Sequence, residues 1–223
     1  MISEPKFILA SNSPRRKQLL ALTGWEFVVQ PAHVNETLLA GEKPGDYVLR
    51  LAESKAGEIA HMTNGSEIIL AADTTVVDED AILGKPSDNE EAASMLRGLR
   101  GHTHQVYTGL ALCRSRADKM ITDLCVTDVP MRNYTDEEIQ TYVTSGDSHD
   151  KAGAYAIQHP HFQPVEKLCG CFASVMGLPL CHLERALFKL GVAPNLDISK
   201  NCQSALNYEC LIWQAVLNNE PLG

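Results

Sequence analysis

The run EIILAADTTVV, residues 67–77, is the feature that most constrains this chain. It is almost continuously apolar, yet far shorter than the roughly 18 apolar residues a membrane-crossing helix needs. A strand with one wet face alternates apolar and polar side chains, whereas one apolar throughout is covered on both faces. Such a strand belongs in a layered domain of helices and sheet. The run also carries an anomaly. Asp73 lies towards its end, where an ionised carboxylate needs a cation, a metal or a chemical task. Ends of buried strands are where α/β proteins place their chemistry. The plainer alternative is a cap on a neighbouring turn.

Hydrophobic periodicity orders the rest. A strand near residues 6–10 leads into a helix opened by Pro14 and ended by Gly24, and EFVVQP (26–31) reads as a second strand. Pro44-Gly45-Asp46 opens a helix whose Val48, Leu51, Ala52, Ala56 and Ile59 share one face. After Asp78-Glu79-Asp80 the chain returns as AILGKP (81–86), a hairpin. Ser87 with Glu90 forms a capping box for NEEAASMLRGL (89–99). Two long β-rich segments follow, HQVYTGLALCRS (104–115) and KMITDLCVTDVPMR (119–132), joined by a polar turn at Ala117-Asp118. Thr135 and Glu138 make another capping box, for DEEIQTYVTSG (136–146). Residues 150–179 are rich in Gly, His and Pro and read as loops around short strands; LCHLERALFKLG (180–191) is a core helix. Beyond Pro194 the composition changes, and NYECLIWQAVLNN (207–219) reads as an appended helix. The expectation is an α/β fold with a mixed extended sheet and helices in two lobes. A body over 1–192 would carry a C-terminal helical extension over 193–223.

Composition excludes several classes. A net charge of -9 argues against a general nucleic-acid binder, which carries a basic stripe. No apolar run suits a membrane span, so no membrane partner is expected. Met1-Ile2-Ser3-Glu4-Pro5 lacks the basic and apolar regions of a signal peptide, which points to the cytoplasm. Seven cysteines, an odd number, fit a reducing compartment, and Cys113, Cys125 and Cys181 sit in apolar runs. Cys169 and Cys171 have no second pair at metal spacing. His102, His104, His159 and His161 read as surface residues.

In so acidic a chain, the segment ASNSPRR (10–16) stands out. A helix N-terminus offers unpaired N–H groups and partial positive charge to an anion. Ser11 and Ser13 add hydroxyls, and Arg15 and Arg16 can fork onto phosphate oxygens. Taken alone, the segment is equally Ser13 capping a helix beside two solvated arginines. Lys85 is pinned between Gly84 and Pro86, and Lys55 shares a helix face with Ala52 and Ile59; a solvated position is the alternative for each. Glu36 is a loop carboxylate with no claim until paired with Asp73. Together, two lysines, two arginines, two acids and a helix N-terminus make a set suited to phosphoryl chemistry. Walker, dinucleotide-fingerprint and serine-hydrolase motifs are absent.

ASNSPRR, AADTTVV, GKP, YTG, DKAGAYAIQ and GLPL, in this order from about residue 7 to residue 190, resemble the Maf family of nucleoside-triphosphate pyrophosphatases. The resemblance implies a sheet between two lobes around a central cleft, in a Maf/ITPase-like fold, often a homodimer. It implies hydrolysis of a nucleoside triphosphate to monophosphate and pyrophosphate with a divalent cation, Mg²⁺ or Mn²⁺. By the same resemblance Ser11, Ser13, Arg15, Arg16, Lys55 and Lys85 bind substrate. Asp73 is the catalytic acid position, general base or metal ligand, and Glu36 joins it in the metal or catalytic cluster. Gln158 falls at the nucleotide-selecting position, where its amide suits a pyrimidine edge. Pro14 directly before Arg15-Arg16, with DKAGAYAIQ, matches the branch resembling dTTP/UTP pyrophosphatases, a house-cleaning role. Two departures are visible. His159-Pro160 stand where the family continues with glycine, and the tail beyond Pro194 has no counterpart in compact members. The rival expectations are a nucleotide-binding regulator of septum formation and a purine-type enzyme acting on ITP or 7-methyl-GTP.

Overall fold

The computed structural model describes residues 6–63, 65–114 and 119–220, so the expected turn at Ala117-Asp118 lies outside the described residues. Among these residues six strands form one sheet: β1 (Phe7–Leu9), β2 (Phe27–Val29), β3 (Ile68–Asp78), β4 (Ala81–Leu83), β5 (Thr103–Arg114) and β6 (Met120–Pro130). The order is β2-β1-β3-β5-β6, with β4 also paired to β3. β1 runs parallel to β2 and β3, and the β3–β4, β3–β5 and β5–β6 pairs are antiparallel. The sheet is therefore mixed, as the sequence led us to expect.

Helices cover both faces: α1 (Pro14–Ala21), α2 (Pro44–Met62), α3 (Asn89–Leu99), α4 (Asp136–Thr144), α5 (Phe172–Met176), α6 (Leu180–Phe188), α7 (Ile198–Leu206) and α8 (Trp213–Leu217). Alternation along β3 sorts its side chains between two cores. Ile69 and Ala71 pack with Ala52, Ala56 and Ile59 of α2. Leu70 and Ala72 join the larger core with Leu96, Leu110 and Leu180. Full burial of each larger aliphatic side chain contributes about 1.5–3 kcal/mol. The approach of α2 depends on one glycine. A Cβ at Gly109 would lie 2.7 Å from the Val48 carbonyl oxygen, and Gly109 is the β5 partner of Asp73.

The topology also opens a gap. Along one edge, β3 pairs with β5 from Ile68 to Val77 without a break. Along the other edge, β1 pairs with Ile68–Leu70 and β4 with Val76–Asp78. Between these two short partners the stretch Ala71–Thr75 has no strand beside it among the described residues. The loops leaving β1, β2 and β4 converge on that gap.

Several local expectations change. Asp88, not Ser87, caps α3, its carboxylate accepting from Glu91 N–H at 2.8 Å. Glu91, not Glu90, closes the motif by accepting from Ser87 N–H at 2.7 Å. Two adjacent residues can both cap, and the helix starts one residue later than the first of them suggests. The Thr135–Glu138 capping box is present. Residues 150–179 hold a 3₁₀ turn at Ala152–Ala154, the helix α5 and one isolated bridge, Met131–Val165, in place of short strands. Left-handed backbone at Gly153, Gln163, Lys167 and Gly177 interrupts extended runs there. In the tail, Asn207 takes a left-handed conformation that ends α7, so the helix expected over 207–219 is confined to α8. Both tail helices bury an anchor, Ile198 and Val216, and Arg185 Nη1 donates to the Val216 carbonyl at 3.1 Å. His104 is a further correction. It is buried at 2% exposure, with Nε2 2.8 Å from the Tyr155 hydroxyl. On β5 it shares the strand parity of buried Val106 and Thr108, so strand geometry overrides its polar character.

Candidate active site

A cleft of about 610 Å³ fills the gap beside β3. Ser11, Ser13, Arg15, Arg16, Glu36, Lys55, Asp73, Lys85 and Gln158 all line it. Distant segments supply these groups, and the position of each has a local cause. Ser11 and Ser13 sit on the turn from β1 into α1, where Ser13 Oγ accepts from the Arg16 N–H at 3.5 Å as the helix cap. Lys55 lies on the sheet-facing side of α2 because it follows Leu51 and Ala52 by one turn and precedes Ile59 by another. Asp73 shares strand parity with Ile69 and Ala71, so it faces α2. Lys85 follows β4, which runs back towards the gap.

Lys55 and Asp73 form the buried centre. Lys55 Nζ lies 2.6 Å from Asp73 Oδ1 and 2.6 Å from Glu36 Oε1. Lys55 and Asp73 are each 8% exposed, so their charges compensate each other in a poorly hydrated place. Glu36 is held by its loop, whose carbonyl at Glu36 accepts from the Tyr47 hydroxyl at 2.9 Å. Burial pushes the Glu36 carboxyl up, but the Lys55 hydrogen bond, with the charges of Lys55, Lys85 and Arg16, takes it below the usual carboxylate value. Glu36 is consequently an anion at neutral pH.

Thr74, on the opposite face of β3, organises Arg16. The guanidinium donates to the Gly177 carbonyl at 2.9 Å, to Ser11 Oγ at 3.2 Å and to Thr74 Oγ1 at 3.2 Å. Thr74 and Thr108 are direct register partners with hydroxyls 3.0 Å apart, and Thr108 donates onward to the Ser174 carbonyl at 2.9 Å. Arg16 is thus locked between α1, β3 and the end of α5. Burial pulls its pKa below the usual arginine value, with Asp73 and Glu36 opposing that shift. Arg15 takes a different course: its Nη1 lies 3.1 Å from Asp150 Oδ2.

Sequence reasoning did not single out Thr74, Asp150 or Lys151, all of which line the cleft. The DKAG segment containing the last two was visible as a motif, and a buried lysine beside two acids is its structural content. No helix among the described residues is long and apolar enough to cross a membrane.

Fold and cleft define an α/β protein with a cationic recess around a buried lysine–carboxylate pair, a place built to hold a polyanion. The chain belongs to the Maf-like protein family, whose model matches residues 6–190. It is 44% identical over 191 residues to the dTTP/UTP pyrophosphatase of Geotalea uraniireducens, covering 86% of this chain and 98% of that one. The dTTP/UTP pyrophosphatase of Bacillus cereus strain G9842 is 46% identical over 182 residues, 82% of this chain and 94% of the relative. That of Dehalococcoides mccartyi is 42% identical, covering 86% and 85%. A solved nucleoside-triphosphatase / dITP/XTP pyrophosphatase structure from Mycobacterium abscessus aligns at TM-score 0.40 and 14% identity over 83% of this chain and 98% of that chain, too low a likeness to bear on the fold.

Proposed function

We propose that this protein is a nucleoside triphosphate pyrophosphatase that hydrolyses dTTP and UTP to the monophosphate and pyrophosphate. The observation carrying this reading is the buried Lys55–Asp73 pair, with Glu36 against it, set in a cleft bordered by Arg15, Arg16 and Lys85. Water attacks the α-phosphorus in line and the β,γ-pyrophosphate leaves. Asp73, with Oδ1 committed to Lys55, accepts the water's proton through its other oxygen. Lys55 keeps that carboxylate aimed. Arg16, rigid in its three hydrogen bonds, and Lys85 oppose the charge that grows on the leaving group. Gln158, at the cleft wall, offers a donor and an acceptor to the pyrimidine edge.

Among the described residues no group of three or more His, Cys, Asp and Glu converges on a metal position. The residues present still suit Mg²⁺ or Mn²⁺ arriving with the triphosphate, because Mg²⁺ on nucleotides uses one or two carboxylates and fills its shell with phosphate and water oxygens. Glu36 and Asp73 would hold it, and it would supply charge neutralisation and a more acidic water. We extend the proposal to the cytoplasm, whose reducing conditions suit the free cysteines, and to a homodimer, on the family resemblance. Because the family match stops at residue 190, we treat 193–223 as an extension of the catalytic body.

The test is product analysis with purified protein, Mg²⁺ or Mn²⁺, and dTTP, UTP, CTP, ITP or 7-methyl-GTP, alongside Asp73→Asn. Monophosphate plus pyrophosphate from dTTP or UTP, lost in the variant, is expected. Turnover of the purines alone would move the substrate class. Binding with no turnover would overturn the enzyme.

A further inference from the structure

Asp150 is a cleft residue to which the reaction above assigns no task. Its two carboxylate oxygens face different ways. Oδ1 accepts from Lys151 Nζ at 2.6 Å, and Oδ2 accepts from Arg15 Nη1 at 3.1 Å. Arg15 belongs to the first turn of α1 and Asp150 to the segment after α4, so the contact joins two walls of the cleft.

The two links differ in strength. The Lys151 side chain is 7% exposed and also donates to Asp147 Oδ1 at 3.0 Å and to the Asp147 carbonyl. Two residues on, the Gly153 N–H donates to the Gly84 carbonyl at 3.1 Å, tying this segment to the turn that carries Lys85. The outer link is more open, with side-chain exposures of 22% for Arg15 and 59% for Asp150. Exposed ion pairs of this kind are weak. Burial pushes the Asp150 carboxyl up, yet Lys151 and Arg15 together take it below the usual carboxylate value, so it is ionised at neutral pH. In the free protein Arg15 is therefore already engaged by an anion inside the phosphate cleft.

Building on the pyrophosphatase reading, we propose that Asp150 is a positioning residue that holds Arg15 at the cleft wall and competes with the substrate's polyphosphate for it. Seating a polyphosphate exchanges the Asp150–Arg15 pair for an Arg15–phosphate pair, while Lys151 keeps Asp150 where it is. The exchange is downhill because a phosphate group brings more charge than a carboxylate and accepts the guanidinium fork in two bonds. No covalent step is involved. Arg16, fixed by Ser11, Thr74 and Gly177, undergoes no such exchange, so the two neighbouring arginines divide their work. Arg16 is the standing phosphate ligand and Arg15 the one released on binding.

The experiment uses inorganic pyrophosphate as the probe, titrated calorimetrically into the full chain and into Asp150→Asn. That substitution keeps shape, removes the competing charge and leaves Lys151 its two contacts with Asp147. The dissociation constant is expected to fall about two- to fivefold, the size of one surface ion pair. In an Arg15→Gln background Asp150→Asn is expected to change nothing, because the competition runs through Arg15. A purely structural Asp150 would instead weaken pyrophosphate binding and lower the melting temperature in both backgrounds. An unchanged or higher dissociation constant in Asp150→Asn overturns the proposal. Should Asp150→Asn not fold, Asp150→Ser is measured in its place, and misfolding of both makes Asp150 structural and also overturns it. Hydrolysis by the unaltered protein is scored separately. A protein inert towards every triphosphate whose Asp150→Asn form still binds pyrophosphate more tightly would lose the enzyme and keep the exchange. Active protein without that gain would keep the enzyme and lose the exchange.

Discussion

Replacing Lys55 by methionine probes the centre of the site. Methionine has similar length and similar helix propensity, so the change isolates the charge. In the unaltered protein Lys55 Nζ is 2.6 Å from Asp73 Oδ1 and 2.6 Å from Glu36 Oε1, and side-chain exposures are 10% for Lys55, 11% for Asp73 and 54% for Glu36. The Glu36 contact, half in solvent, contributes little. The Asp73 contact dominates, since removing one partner of a buried pair strands the other and costs about 3–5 kcal/mol. Each partner keeps about a tenth of its surface in water, so the lower end applies, about 3 kcal/mol. For a chain of this size that is a fall of roughly 6–12 °C in melting temperature. Urea unfolding near neutral pH reads the same loss as a lower midpoint at unchanged slope. Adding Asp73→Asn removes the stranded charge, so the double variant recovers about 2 kcal/mol of the loss. Hydrolysis is not expected to recover, because the reaction proposed above needs Asp73 to take the proton and Lys55 to aim it. A double variant as unstable as Lys55→Met alone would refute the argument.

Two further outcomes are expected. Gly109→Ala places a Cβ 2.7 Å from the Val48 carbonyl oxygen and 2.9 Å from the Leu49 nitrogen, backbone that cannot turn aside. It should cost about 1–3 kcal/mol and, by moving α2 and Lys55 off Asp73, lower turnover at saturating substrate; an unchanged melting temperature would show that the helix yields. Burial brings the His104 imidazole down from 6.5 to about 4. The folded value lies below the unfolded one, so the contribution is complete above about pH 6.5 and is lost as pH falls towards about 4, in total about 3 kcal/mol. Urea midpoints followed across that window should fall more steeply for the unaltered protein than for His104→Gln.

Much of the site was legible because expensive residues announce themselves. Asp73 inside an apolar strand and Lys55 on an apolar helix face are each costly alone, and they compensate each other. The turn from β1 into α1 was legible for a different reason: its small residues, Pro14 and two arginines are all local. Asp150 was not, because its meaning is a contact with Arg15, 135 positions away. The burial of His104 is also written locally, in the strand parity it shares with Val106 and Thr108, although its residue type points to the surface. The α3 cap lies one residue on because Ser87 and Asp88 are both competent caps, and it is the Asp88 carboxylate that reaches the Glu91 N–H.

Taken alone, the sequence determined the long strands and helices of the body and which face most of their side chains take. Parity along Ile69, Ala71 and Asp73 sends the carboxylate towards α2, and the same parity sends Thr74 to the other side. Those outcomes depend on interactions within a few residues, where periodicity and sterics decide. Only the tertiary structure decided that β1 and β4 would leave Ala71–Thr75 uncovered on one edge of β3, and that Lys55, Glu36, Arg16 and Asp150 would meet there. Strand length, sheet register and the close approach of α2 over Gly109 set those distances. Each depends on surfaces brought together from far apart in the chain, and no local pattern encodes them.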